Sequence, residues 1–335
     1  MIKKYSILPY IFILVILALV SLCIGRYGLK ISEIFSILFG NGTNGQEVNL
    51  LVNIRLPRVL LVIVSGAALA LSGMVFQSIF QNPLISPDVL GVSSGCSLGA
   101  AIGIVFLSAS PFMIQGLSFI FGICSVIFSL ILSKKMRSNR ILALVISGIV
   151  TGALTSSFIM IIKYFADPYK ELPAIDFWLM GGFYNSDWKS VINVLILVFI
   201  STIILFLLRW KLKVLTMGDD QAKLLGVNVK CIRTIAIFSA TLLVSSVVSV
   251  AGLISWIGIL APHIVKSFAR DDISKIIPLT MAVGAIILLI ADTVARSITT
   301  TEIPISILTS LFGAPFLVYL LNKKGAVMRW INYYK

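Results

Sequence analysis

Eight uninterrupted apolar runs dominate the chain, near residues 5–25, 57–80, 88–107, 111–133, 140–165, 190–209, 276–295 and 304–322. A helix needs about 20 residues to cross the ~30 Å hydrocarbon core of a bilayer, and in lipid its backbone polar groups must be satisfied internally, as a helix does. Composition agrees: of 335 residues 59% are hydrophobic and 12% charged, with a mean hydropathy of +1.06, more apolar surface than one soluble core can hide. The expected fold class is an all-α membrane protein, one polytopic domain over residues 1–335.

The stretch from Thr234 to Phe268 is too long for one crossing and holds Gly252 and Pro262, residues that loosen or break helices. Charge settles its count, because Lys and Arg concentrate in short cytoplasmic segments. With the N-terminus inside and two crossings in this stretch, Lys3 and Lys4, Lys134–Arg140, Arg209–Arg233, Lys266–Lys275 and Lys323–Lys335 all fall inside, holding 19 of the 27 basic residues. Ten transmembrane helices result, with both termini cytoplasmic. The 35 residues make about 52 Å of helix, less than two ~30 Å crossings. At least one of the pair is therefore expected to be short or broken, its backbone buried by protein.

The formal charge of +14 does not signal nucleic acid, since the basic residues punctuate apolar runs instead of forming one polar face. Cys23, Cys96, Cys124 and Cys231 are scattered without CxxC spacing, so neither a disulfide framework nor a metal site is expected. Met1–Cys23 starts like a signal peptide, but its apolar body runs about 20 residues with no A-x-A site, and bulky Leu22 is wrong for lipoprotein cleavage; it reads as a retained helix.

The longest polar interruption is Arg209–Arg233, which a membrane protein needs if it reports to a cytoplasmic partner. Within it Gly218-Asp219-Asp220 can start a short helix, Gln221 through Ala222, Lys223, Leu224 and Leu225 can continue it, and Gly226, before Val227, can end it in the left-handed conformation. No G-x-x-x-x-G-K-[ST] occurs, so the chain carries no P-loop of its own, and ATP would be used by a partner.

Small residues mark close packing. Gly91, Gly95, Gly99 and Gly103 recur every fourth residue of the third span, which predicts a groove of bare backbone on one helix face, and Gly148 and Gly152 repeat the pattern in the fifth. Before the third span, Asn82–Asp88 reads as a tight turn with Ser86 as N-cap and Pro87 first in the helix. On the outer side, Gly25–Asn53 with Gly40–Gly45 reads as a flexible linker, and Asp167–Lys189, with Trp178 and Trp188, as a loop carrying a short interfacial helix. Arg55-Leu-Pro-Arg58 sets two arginines at the start of the second span, with Pro57 at the helix start, either as headgroup anchors or as a recessed basic surface for an acidic partner. Asp292 and Arg296 form an i,i+4 pair that can partly satisfy an acid costly in a membrane.

Gly91-Val-Ser-Ser-Gly95 matches the GxSxG of serine hydrolases, yet that elbow needs a preceding strand, and here a capped helix start precedes it. His263, the single histidine, has no acid placed to orient it and reads as a polar anchor. An intramembrane hydrolase is disfavoured on those grounds. An ion-coupled transporter is disfavoured because Asp292 sits beside its own arginine and no relay of acids and histidines appears.

Taken together, Arg55-Leu-Pro-Arg58, Ala68-Leu-Ala-Leu-Ser-Gly73, Gln77, Asn82-Pro-Leu84, Leu90-Gly-Val-Ser-Ser-Gly95, Leu225-Gly-Val227, Gly252-Leu-Ile254, Gly258-Ile-Leu-Ala-Pro-His263 and Asp292 resemble the permease subunits of bacterial ABC importers of the FecCD/BtuC-like family, over nearly the whole chain. The resemblance implies the type II permease fold and transport of an iron(III)-siderophore complex, haem or cobalamin by alternating access. It implies a second permease, identical or a sister chain, two ATPase subunits that use ATP and magnesium, and an extracytoplasmic substrate-binding protein; the permease itself needs no cofactor and performs no catalysis. Gly218 through Val227 would then seat in the ATPase, Arg55, Arg58 and Arg296 would meet acids on the binding protein, and Ser147, Gly148, Thr151, Gly152, Thr155 and Ser156 would line the path.

Overall fold

The protein is described by a computed structural model that covers residues 7–25, 27–39, 45–107, 110–136, 139–269, 273–299 and 301–322. Each apolar run becomes a helix, and no strand occurs among the described residues. In chain order the helices are α1 (Leu8–Cys23), α2 (Ile31–Leu38), α3 (Gly45–Phe80), α4 (Val92–Phe106), α5 (Pro111–Lys135), α6 (Arg140–Phe165), α7 (Glu171–Met180), α8 (Trp188–Leu207), α9 (Arg209–Leu215), α10 (Asp219–Leu224), α11 (Val229–Ala251), α12 (Ile257–Phe268), α13 (Ile273–Ala295) and α14 (Ile305–Asn322). Six of them, α3, α5, α6, α8, α11 and α13, are long and apolar enough to cross a membrane, and α1, α4, α12 and α14 are shorter apolar helices. Among the described residues this makes the ten that the sequence predicts. The expectations for Lys3, Lys4, Gly40–Asn44 and Lys323–Lys335 fall outside the described residues.

Between Thr234 and Phe268 the chain divides unequally. Gly252 at φ 67° ends α11, residues 252–255 run outside any helix, and Trp256 at φ 74° leads into α12, only 12 residues long. Protein satisfies the backbone around the break, as an apolar surrounding requires. The Gly182 N–H donates to the Ala251 carbonyl at 2.7 Å, the Ile305 N–H to Gly181 at 3.0 Å, and the Ser306 hydroxyl to Leu253. Pro262, expected to help break the run, lies inside α12 instead. A proline deprives the carbonyl four residues earlier of its donor; that carbonyl belongs to Gly258, and the buried Gln77 amide on α3 donates to it at 3.4 Å.

Two other expectations change. Pro57 does not begin the second span: α3 already runs from Gly45, widened to a π-helical stretch over Leu50–Arg55 just before the proline. The wider turn removes the regular i→i−4 bonding that a proline would otherwise interrupt. The outer loop 25–53 is also more than a linker, since it contains α2, whose first turn is closed by the Lys30 N–H donating to the Glu33 carboxylate at 2.8 Å. The second outer loop does carry a helix, α7, and the Trp188 indole at the start of α8 donates to the Val52 carbonyl at 3.0 Å.

The centre of the bundle is α3, packed by α8, α11, α12 and α13, with 78% of its apolar window buried against 28% for α5. Its neighbours approach at bare backbone. A Cβ on Gly73 would overlap the Gly258 carbonyl of α12, and one on Gly66 would lie 2.8 Å from the Ala285 Cα of α13. Gly95, Gly99 and Gly103 bring α4 against α5 in the same way; a Cβ on Gly95 would stand 2.6 Å from the Phe121 oxygen. Gly91 is not part of that face: it sits at φ 79° between a 3-10 turn, Pro87–Leu90, and the start of α4. Ser86 precedes this 3-10 turn, and its side chain makes no capping bond.

Candidate functional site

The polar stretch 209–233 folds into a short displayed helix held at both ends. Gly218 takes φ 107°, which the chain needs to turn out of α9 and start α10, and an added Cβ there would meet nothing within 4 Å, so the glycine serves the dihedral and not the space. At the other end the Val227 N–H donates to the Ala222 carbonyl at 2.9 Å and the Gly226 N–H to Lys223 at 2.9 Å, with Gly226 at φ 76°. That pair of bonds is a Schellman ending, which ties off carbonyls that a short helix would leave free. Ala222 and Val227 are buried under the turn. Asp219 receives two bonds from the Arg233 guanidinium at 2.5 and 3.1 Å, fixing α10 to the first turns of α11, while Asp220 and Lys223 pair at 2.9 Å on the outside. Leu224 and Leu225 are left at the tip, 87% and 54% exposed. Two leucines thus stand exposed on a capped turn, and Gln221 lies exposed beside them. The turn after α3 joins this end, where the Gln81 amide donates to the Leu215 carbonyl at 3.0 Å.

At the opposite end of α3 the arginines expected to face a partner are turned inward. Arg55 is 5% exposed and donates to the carbonyls of Leu22, at 2.5 Å, Cys23 and Tyr27. Arg296, 7% exposed, donates to Ile24 at 2.7 Å and to the Ser21 carbonyl and hydroxyl. Both guanidiniums thus satisfy the C-terminal carbonyls of α1, where a cation also complements the negative end of the helix dipole. Arg58 grips the fully buried Asp292 through two nitrogens, at 3.0 and 2.8 Å, and reaches Glu302 at 2.9 Å. The i,i+4 contact from Arg296 to Asp292 is the longer one, 3.5 Å. The three arginines therefore form a buried lock among α1, α3, α13 and the segment before α14, and Arg55 and Arg296 do not present an outward surface.

The proposed path residues on α6 divide by face. Ser147, Thr151 and Thr155 are buried, Ser129 of α5 donates to Thr151 at 2.7 Å, and a Cβ on Gly148 would overlap the Val89 carbonyl. Ser147 and Gly148 pack inside the subunit, while Thr151 and Thr155 border a cavity of about 230 Å³ between α4, α5 and α6. Gly152 is half-buried and Ser156 exposed, at the edge of a bare face that continues through Ile149 and Met160. The GxSxG serine, Ser93, stands in the first turn of α4 and donates to Asp88, with no strand before it; His263 lies buried in α12.

Ten apolar helices with a buried arginine–carboxylate lock at one end and a leucine-tipped turn at the other have the layout of a multi-pass membrane protein. The chain belongs to the FecCD transport family, which it matches over residues 13–323. Similar proteins include the molybdate import system permease MolB of Haemophilus influenzae, 37% identical over 93% of this chain and 95% of that one. A probable iron chelatin transport system permease of Helicobacter pylori is 35% identical over 93% and 97%, and the hemin transport permease HmuU of Yersinia pestis 33% identical over 93% of both. Among solved structures, an inward-facing metal-chelate type ABC transporter superposes with a TM-score of 0.86 at 35% identity, over 95% of this chain and 98% of that one. The protein is accordingly an ABC-importer permease, a class that works as a permease dimer with ATPase subunits.

Proposed function

We propose that this permease carries an iron(III)-siderophore complex across the cytoplasmic membrane by alternating access, with its basic end and both termini in the cytoplasm and a substrate-binding protein delivering cargo at the other face. The observation that carries the mechanism is the capped turn Gly218–Val227, where exposed Leu224 and Leu225 stand on a Schellman ending braced by Asp219 and Arg233. A partner ATPase that closes on those leucines moves α10, and through Asp219–Arg233 moves α11. The cargo assignment is supported by the likeness to a metal-chelate type transporter and to iron chelatin permeases. The second permease would face α6 along Ile149, Gly152, Ser156 and Met160 and α14 along Leu311 and Phe316, the apolar surfaces that the subunit leaves exposed. Arg58 keeps 11% side-chain exposure against 8% for Arg296, so a docking contact with an acidic binding protein is proposed for Arg58 alone.

Molybdate is the second reading, because the 37% identical relative is a molybdate permease. Proteoliposomes holding this chain with its ATPase, supplied with binding protein, separate the two: uptake of 55Fe-siderophore and not of 99Mo-molybdate is expected, and the reverse would overturn the cargo. Leu224→Ser with Leu225→Ser should abolish ATPase association with little change in the permease's own stability, within about 0.5 kcal/mol for exposed positions. Retained association and uptake would sink the coupling assignment.

A further inference from the structure

At the basic end, beside the 218–227 turn, a cavity of about 830 Å³ opens between α5, α6 and α11. Its rim carries Lys134 from the last turn of α5, Arg140 at the start of α6 and Lys230 at the start of α11. Two helices of 26 and 23 residues begin here, each with its positive dipole end at the cavity. Their caps, Asn139 and Asn228, each satisfy one backbone N–H, of Ile141 and Cys231, and a helix start has four to satisfy. Arg233 lines the same wall. It is 1% exposed, its two terminal nitrogens are taken by Asp219, and its buried Nε–H has no acceptor among the described residues. Between the charges the lining offers apolar surface from half-buried Leu130 and Met136 and from exposed Ile235.

Positive rim, two helix starts, a buried donor without an acceptor among the described residues and apolar surface between the charges describe one kind of ligand, an anion attached to a hydrocarbon tail. We infer that this cavity binds the phosphate headgroup of an anionic phospholipid, with its acyl chain along Leu130, Met136 and Ile235. Basic pockets between membrane helices recognise such headgroups by the same chemistry. Inorganic phosphate shares the charge but leaves the apolar surface uncovered. Because Arg233 joins the cavity wall to Asp219 of the 218–227 turn, an occupied site holds α10 against α11. The anion site itself is independent of the proposed cargo and orientation; only its placement in the cytoplasmic leaflet rests on them.

The test uses the full-length chain purified in detergent, with lipid binding counted by native mass spectrometry and protection read from thermal unfolding. Phosphatidylglycerol and cardiolipin are expected to bind and raise the midpoint, and phosphatidylcholine and inorganic phosphate are not. Arg140→Gln with Lys230→Gln removes two exposed charges, each worth about 1 kcal/mol toward an anionic lipid, so binding should weaken about 30-fold, while the lipid-free midpoint stays put. Arg140→Lys with Lys230→Arg keeps the charge and should keep the binding. Equal protection by phosphatidylcholine overturns the anion site, equal protection by inorganic phosphate overturns the lipid, and unchanged affinity in the Gln variant overturns the location.

Discussion

Replacing Arg58 with methionine keeps a long apolar stem and removes the guanidinium that holds Asp292. The carboxylate is wholly buried, with bonds from Arg58 at 2.8 and 3.0 Å. The counter-charge left to it would be the Arg296 Nε at 3.5 Å, on a side chain whose other nitrogens are engaged by Ser21 and Ile24. Breaking one partner out of a buried pair costs about 3–5 kcal/mol, because an uncompensated charge stays behind. Glu302, the third member, has a 26% exposed side chain, so losing its pair adds at most about 1 kcal/mol. Removing both charges with Arg58→Met and Asp292→Leu takes away the orphan carboxylate and should recover part of that loss, the remainder reflecting buried Arg296 left without its acid. The assay is a double-mutant cycle read by SDS titration of the purified protein in mixed micelles. A loss below about 1 kcal/mol for Arg58→Met, or a double variant as unstable as the sum of the singles, refutes the buried lock. A stable Arg58→Met variant that no longer captures the binding protein would return this arginine to a docking role.

On α6, Gly148→Ala pushes a methyl into the Val89 carbonyl, with the Leu90 Cα 2.9 Å away, and backbone cannot swing aside. It should cost about 1–3 kcal/mol. Gly152→Ala, one turn on and meeting nothing nearer than the Ser94 hydroxyl at 3.7 Å, should be neutral or stabilising by up to about 1 kcal/mol in the same titration; equal effects at the two sites would contradict the packing. At Gly226, φ is 76° and the surroundings are open, so alanine pays only the left-handed penalty of about 1–2 kcal/mol. Hydrogen exchange should quicken at Gly226 and Val227, leaving the midpoint of global unfolding in place, and uniform protection across the turn would argue against the Schellman ending.

The fold was legible because bilayer physics is coarse. Twenty apolar residues in a row, basic residues between them and an even crossing count define ten helices without knowledge of a single contact, and the shortage of length in 234–268 announced a short helix. What the pattern could not place was the consequence of each proline. Pro57 and Pro262 look alike in the sequence, but one follows a π-helical stretch and the other sits mid-helix because Gln77, 185 residues before it, serves the carbonyl it frees. Such a repair is a tertiary event and leaves no local signal.

Local backbone chemistry was equally legible at the 218–227 turn, where Gly218 and Gly226 bracket six helical residues and each occupies a left-handed or extended region that few other residues tolerate. The arginines were not, and the reason is geometric. An arginine near a span's outer end has the same neighbours in sequence whether it greets a partner or caps a helix. The decision belongs to the carbonyls of Ser21, Leu22, Cys23 and Ile24, which meet Arg55 and Arg296 only after α1, α3 and α13 have packed. A serine or threonine stripe is ambiguous in the same way: on α6 a stagger of one residue separates Thr155, held by the subunit, from exposed Ser156. Side-chain chemistry proposes a polar surface in both cases, and the rotation of one helix about its axis decides whether the polar groups satisfy their own protein or remain for another.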